Sequence, residues 1–156
     1  MPAQFTLRTY AAEDFETLWA IDQACYEPEI AYSRRELRNY LRFPGADCVV
    51  AEARERASDN PRIVGFCVTA HRGSHGYVVT MDVVADWRRH GAASALLRAA
   101  EQRMAIEGVR EVGLETATDN EAGVAFWKKH GYRNRGVRTG YYPGGRDAFE
   151  MFKRLA

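Results

Sequence analysis

Hydrophobic and polar positions along this chain change their spacing several times, and each change marks a structural element. Phe5, Leu7 and Thr9 alternate with Thr6 and Arg8, the period-two pattern of a half-buried strand. Phe15, Leu18, Trp19, Asp22 and Cys25 then recur at helical intervals, which predicts an amphipathic helix over residues 12–24. Ser33, with Glu36 three positions later, has the spacing of a capping box and opens a second helix carrying Leu37, Tyr40 and Leu41. Between the two helices lies an aromatic loop, Tyr26-Glu27-Pro28-Glu29-Ile30-Ala31-Tyr32, placed to face either solvent or a ligand.

Residues 48–53 and 63–70, separated by the polar turn Ala57-Ser58-Asp59-Asn60-Pro61, have the pattern of two antiparallel strands joined in a hairpin. Arg72-Gly73-Ser74-His75-Gly76 is a further turn, leading to a strand over residues 77–84. From Gly91 the period changes again. Ala93, Leu96, Leu97, Ala100 and Met104 recur at helical intervals and stop before Gly108. Residues 109–116 predict a strand, and residues 120–129 a helix ended by His130-Gly131. Residues 133–142 and 148–152 predict two last strands about the turn Pro143-Gly144-Gly145. No linker, repeat or low-complexity segment interrupts the series. The chain therefore reads as a single α+β domain over residues 1–156 with a mostly antiparallel sheet.

Composition narrows the classes of function. A chain of 156 residues, 46% hydrophobic and 28% charged, can bury one continuous core. Its net charge of +1 supplies no broad electrostatic surface for nucleic acid or an anionic membrane. An anion recognised here must be held by local geometry. Cys25, Cys48 and Cys67 are odd in number and scattered among apolar neighbours, so three buried thiols in a reducing compartment are expected rather than a disulfide framework. The stretch beginning Met1-Pro2-Ala3-Gln4 lacks the apolar run of a signal peptide. No apolar run approaches the roughly 20 residues that span a bilayer. A cytoplasmic location is expected. His71 and His75 have no cysteine or carboxylate cluster at ligand spacing, so no metal site is expected.

The stretch richest in chemistry is Asp82-Val83-Val84-Ala85-Asp86-Trp87-Arg88-Arg89-His90-Gly91-Ala92-Ala93-Ser94. A strand runs into a short basic turn, and the turn opens a helix. The first amides of a helix have no internal partner, and their dipoles point outward, which suits a pyrophosphate. Gly91, Ala92 and Ala93 leave room for phosphate oxygens to approach the backbone, and Arg88 and Arg89 add charge. Neither a Walker-type loop nor a triple-glycine dinucleotide fingerprint is present.

Arg88-Arg89-His90-Gly91-Ala92-Ala93 resembles the Arg/Gln-X-X-Gly-X-Gly/Ala signature of the GNAT acetyltransferase superfamily, and it follows a strand and opens a helix as it does there. The similarity continues through Leu114-Glu115, Asn120, Lys129-His130-Gly131-Tyr132, Tyr141-Tyr142-Pro143 and Arg146-Asp147-Ala148-Phe149-Glu150-Met151. These last runs are similar to protein N-terminal acetyltransferases, in particular those that act on alanine of ribosomal proteins. The resemblance implies a GNAT-like mixed sheet of about seven strands flanked by about four helices. It implies acetyl-CoA as cosubstrate and no metal. Met81 and Val83 would pair their backbones with the pantetheine arm, and Asn120 would contact it. The amides of Arg89, His90, Gly91, Ala92, Ala93 and Ser94, with Arg88, would hold the pyrophosphate.

By the same resemblance Glu115 is the candidate base for an attacking amine. An α-amine titrates near 8 and a lysine near 10.4, so a modest base suffices for a chain end. Tyr141 and Tyr142, with Tyr26 and Tyr32 from the first inter-helix loop, would form an aromatic slot for a peptide N-terminus. One position departs from the family, which carries a tyrosine proton donor where this chain has Phe126-Trp127. An indole donates a hydrogen bond but cannot supply a proton as a phenol does. Tyr132, Tyr141, Tyr142 or a water remain as donors, and the thiolate can also leave unprotonated. The implied acceptor is a peptide or protein N-terminus, a ribosomal protein among the possibilities, and the chain would act as a monomer or homodimer. A small-molecule amine, a lysine side chain, or an acyl-CoA-binding sensor without turnover are the alternative readings.

Overall fold

The computed structural model describes residues 5–155. Met1-Pro2-Ala3-Gln4, read above for the absence of a leader, lie outside the described residues. In chain order the elements are β1 (Phe5–Thr9), α1 (Phe15–Cys25), α2 (Arg34–Arg42), β2 (Asp47–Ala53), β3 (Arg62–Arg72), β4 (His75–Val83), α3 (Ala92–Ile106), β5 (Glu111–Ala117), α4 (Glu121–Lys129), β6 (Arg133–Tyr142) and β7 (Arg146–Arg154). Single 3-10 turns precede α1 and follow β4, at Ala12–Asp14 and Ala85–Trp87. The strands form one seven-stranded sheet in the order β1-β2-β3-β4-β5-β7-β6. Among the described residues β4 with β5 is its parallel pairing, and the others are antiparallel. No helix among the described residues is long and apolar enough to cross a membrane.

The expected elements are all present, several with ends displaced by a few residues (α1 starts at Phe15 and β5 at Glu111), and two hairpin ends show the cause. β4 begins at His75 rather than residue 77, and β7 at Arg146 rather than residue 148, because His75 pairs with Arg72 and Arg146 with Tyr142 across tight turns. Polar residues at such strand ends carry no hydrophobic alternation. The capping box is as its spacing predicts. Ser33 Oγ accepts from the Glu36 amide at 3.1 Å, and Glu36 Oε1 accepts from the Ser33 amide at 2.9 Å.

Both faces of the sheet are covered. Leu96, Leu97, Ala100 and Met104 of α3 pack with Val112, Leu114, Trp127 and Met151 on one face. Phe15, Leu18 and Ile21 of α1 and Leu37 of α2 pack with Val50, Phe66 and Val68 on the other. This double burial explains why Cys48-Val49-Val50-Ala51 and Val64-Gly65-Phe66-Cys67-Val68 are continuous apolar runs rather than alternating ones.

Two irregularities in β4 create the central cleft. The β3–β4 register shifts between Val68↔Thr80 and Thr69↔Val78, which leaves Val79 as an extra residue in β4, a β-bulge that bends the strand. Pairing with β5 ends at Tyr77↔Gly113, while β5 stays paired with β7 as far as Ala117. Beyond Tyr77 the two central strands therefore part. Gly65 supports the bent strand from behind. A Cβ there would lie 2.7 Å from the Asp82 carbonyl oxygen and 3.2 Å from Val83 Cγ2. Gly65→Ala is expected to destabilise the protein by about 1–3 kcal/mol, as overpacking of a rigid interior does, measurable by denaturant unfolding.

Candidate active site

The alternation of an antiparallel ladder turns the backbone groups of Met81 and Val83 away from β3, since the Val84 amide is the one that donates to Val64 (2.8 Å). Four side chains meet the carbonyls on this open edge. Tyr32 Oη donates to the Val79 oxygen at 3.1 Å and Tyr26 Oη to the Met81 oxygen at 2.8 Å. The Val83 oxygen accepts from Arg88 Nε at 3.1 Å and from Cys25 Sγ at 3.4 Å. Arg88 is thus committed to the strand rather than free at the turn. The carbonyls of Met81 and Val83 are used, and their N–H groups remain on the open edge. A cleft of about 930 Å³ runs along it, reaching Ala93 and Asn120 at one end and Glu115, Tyr141 and Tyr142 at the other.

At the first end, Arg89 and Gly91 both adopt left-handed backbone, with φ of 65° and 84°. For Gly91 that conformation is free of Cβ strain. The first hydrogen bond of α3 runs from the Ala95 amide to the Gly91 oxygen at 3.0 Å, and among the described residues no well-formed bond takes up the amides of residues 89–94, which lie in and just after a tight turn. These amides form a concave donor set of the kind that holds an anion. His90 packs on Trp87 with ring centroids 5.3 Å apart. Ser94 Oγ lies 2.9 Å from His130 Nε2, and burial pulls His130 below the usual imidazole range. Asn120 caps α4, its Oδ1 accepting from the Gly123 amide at 3.0 Å, so only its amide nitrogen is left to face the cleft.

At the other end the Glu115 side chain is 9% exposed. Its Oε2 accepts from the Tyr77 hydroxyl, and Arg138 Nε lies 3.6 Å from Oε1. The Tyr77 hydroxyl is also 3.4 Å from that of Tyr141. Burial, followed by the bond to Glu115, holds Tyr77 far above the usual phenol range, and burial pushes Tyr142 up to about 12. Both phenols therefore keep their protons at neutral pH. Tyr77 and Arg138 were not legible as site residues. Tyr77 follows Gly76 at a strand start, and no local spacing links it to a glutamate 38 positions away.

The acetyltransferase (GNAT) family profile matches residues 15–132. The chain belongs to the GNAT acetyltransferase family. N-alpha-acetyltransferase 30 of Schizosaccharomyces pombe is 35% identical over 98 residues, covering 60% of this chain and 65% of that protein. An N-alpha-acetyltransferase of Saccharolobus solfataricus is 33% identical over 81 residues, covering 51% of this chain and 48% of that one. The chain thus spans about half to two thirds of the length of these relatives. Its fold matches that of the ribosomal-protein-S18-alanine N-acetyltransferase from Escherichia coli, with a TM-score of 0.84, 20% identity and coverage of 98% and 95% of the two chains.

In this GNAT chain the four tyrosines singled out in the sequence all line the cleft. Tyr26 and Tyr32 form one wall, their hydroxyls on β4. Tyr141 and Tyr142 form the other, stacked edge to face at 4.9 Å. Two expectations need correction. Tyr132 is 2% exposed and donates to Glu101 at 2.8 Å, so it serves the core and not as a proton donor. Trp127, at the family's tyrosine position, packs edge-on against Tyr132 at 5.3 Å. Cys48 and Cys67 are buried as expected, but Cys25 is half-buried at the cleft, since it ends α1 beside the open strand.

Arg146 ties the rim of the cleft together. It reaches Glu27 of the α1–α2 loop at 2.9 Å and Asp119 of the β5–α4 loop at 2.8 Å. Exposed pairs of this kind add little to global stability but restrain the loops that carry them. Arg146→Ala is expected to leave the unfolding midpoint nearly unchanged while hydrogen exchange accelerates in residues 27–31 and 143–146.

Proposed function

We propose that this chain is an acetyl-CoA-dependent N-acetyltransferase acting by direct transfer on the α-amine of a peptide or protein N-terminus. The observation that carries the proposal is the cleft itself. One continuous opening along the unpaired edge of β4 reaches Ala93, within the run of amides at residues 89–94, and Glu115, whose side chain is 9% exposed. Kinship with N-alpha-acetyltransferases supports the same acceptor class.

The residues fit the cosubstrate in kind. The amides of residues 89–94 match a pyrophosphate, and the N–H groups of Met81 and Val83 match an amide-bearing arm lying along β4. Acetyl-CoA supplies the activated acetyl thioester. Glu115, directly or through one water, accepts the proton that the attacking amine loses. Tyr77, by a hydrogen bond, and Arg138, by an ion pair at 3.6 Å, orient its carboxylate. The Val83 region of β4 offers a backbone N–H to the developing oxyanion. Tyr141, beside Tyr77, is the phenol placed to supply a proton to the departing sulfur, a role Trp127 cannot fill. The two tyrosine walls, tied by Arg146, leave a slot that a chain end can enter and a mid-chain segment must distort to enter.

Two measurements test this reading. A short peptide with a free N-terminus is expected to be acetylated faster than the same peptide capped and carrying one lysine. Preference for the capped lysine peptide would remove the acceptor class, and acetyl-CoA binding without turnover on any amine would leave a sensor in place of an enzyme. Glu115→Gln keeps the size of the side chain and loses its basic site. Its kcat is expected to fall by about 10²-fold or more, and a full-rate variant would show that Glu115 only positions other groups.

A further inference from the structure

Among the described residues two buried side-chain atoms have no hydrogen-bond partner, Asp22 Oδ1 and Asp82 Oδ2. Both residues are shut off from solvent, at 0% and 1% exposure. They come from different elements, Asp22 from the sheet-facing side of α1 and Asp82 from β4 between Met81 and Val83. Their second oxygens are in use. Asp22 Oδ2 accepts from the Tyr32 amide at 2.8 Å, and Asp82 Oδ1 accepts from the Thr80 hydroxyl. α1 packs against β4, and Tyr32, Tyr26 and Cys25 next to Asp22 bond to the carbonyls of Val79, Met81 and Val83 on either side of Asp82, so the two orphan oxygens lie in one buried junction. Two ionised carboxylates in contact inside a protein are opposed by both their like charge and their lost hydration. One proton between them removes both penalties and gives each orphan oxygen a partner.

We infer that Asp22 and Asp82 share a single proton, and that this carboxylic acid–carboxylate bond is a positioning element, clamping the wall that carries Tyr26 and Tyr32 onto the open strand β4. The shared proton stands on the burial of both carboxyl groups and on their two unpartnered oxygens. Its role in positioning a peptide rests on the function proposed above.

The groups around the pair fix the direction of its titration. Thr80 of β4 bonds to it, and Cys25 of α1, Tyr26 and Tyr32 of the following loop, Cys67 of β3 and Cys48 of β2 lie within its electrostatic reach. Arg88 is the cation that addresses Asp82, and its guanidinium is already engaged by the Val83 oxygen and Cys25. Burial first, and then the contact with Asp22, holds Asp82 well above the usual carboxylate range. The folded protein therefore keeps a proton that the unfolded chain releases. Stability is greatest below the unfolded value of about 3.9 and falls as pH rises, by about tenfold in the unfolding constant per pH unit, until the folded value is passed.

Asparagine in place of Asp82 supplies the same bond without a titrating proton. Its oxygen takes the Thr80 hydroxyl and its amide donates to Asp22. Asparagine in place of Asp22 works in the mirrored sense, with its oxygen on the Tyr32 amide. Both together cannot work, because two NH2 groups would face each other unless one side chain turns and gives up Thr80 or Tyr32.

Denaturant unfolding of the wild type, Asp82→Asn, Asp22→Asn and the double variant, from about pH 6 to about pH 9, tests the shared proton. Asp82→Asn is expected to be more stable than the wild type, with a ratio of unfolding constants that widens by up to about tenfold per pH unit. The double variant is expected to be less stable than either single one. A loss for Asp82→Asn that is equal at every pH, or additive effects in the double variant, would overturn the shared proton. Steady-state kinetics with a free-N-terminal peptide tests the clamp. The double variant should raise KM several-fold more than it lowers kcat, while Asp82→Asn retains the wild-type KM; an unchanged KM in the folded double variant refutes the positioning role. The unfolding cycle needs no substrate, so failure of peptide acetylation would count against the proposed function while the cycle still decides the proton.

Discussion

Parallel pairing between β4 and β5 stops after Tyr77 and Gly113, and the backbone of β4 beyond that point must find other partners. The bulge at Val79 bends the strand, and the carbonyls of Val79, Met81 and Val83 are met by Tyr32, Tyr26 and Arg88. Three side chains thus complete an edge that a neighbouring strand would otherwise complete. The amides on the same edge stay open because side-chain hydroxyls and guanidinium groups approach carbonyls more readily than N–H groups. The result is a groove with donors facing inward, suited to a ligand that brings its own acceptors.

Electrostatics in this protein is local. A net charge of +1 gives no long-range field, yet a ladder of paired charges reaches the cleft at Glu115. Glu115, Arg138, Glu150, Arg135 and Glu111 alternate in sign across β5, β7 and β6 at separations of 3.0–3.6 Å. The ladder ends on Glu115, where Tyr77 supplies the last donor. Across the opening, the Asp22–Asp82 contact solves the opposite problem, two acids with no paired cation between them. One carboxyl group is therefore oriented by a tyrosine and an arginine, and the other two by the proton they share.

Rigid and compliant parts divide along burial. The strands and α3 are held by side chains wholly removed from water, such as Val50, Val64, Leu96 and Val112. The rim is held by exposed ion pairs from Arg146 to Glu27 and Asp119, which solvent screens.

The sequence by itself determined the elements, because their signals are local. Periods of two and 3.6, the Ser33–Glu36 capping box and the stop at Gly108 each involve residues within a few turns of one another. It also determined the basic turn at residues 88–93, since its free amides follow from the start of a helix and from Gly91. Only the tertiary structure decided what those elements bring together. Tyr77 reaches Glu115 across 38 positions, Tyr26 reaches Met81 across 55, and Arg146 reaches Glu27 across 119. It also turned Tyr132 into the core and Arg88 back onto β4. Such contacts depend on strand order, on register, and on one bulged residue that shifts every later side chain of β4. A bulge of this kind leaves no mark in hydrophobic spacing, because both faces of the sheet are buried and either phase reads as apolar.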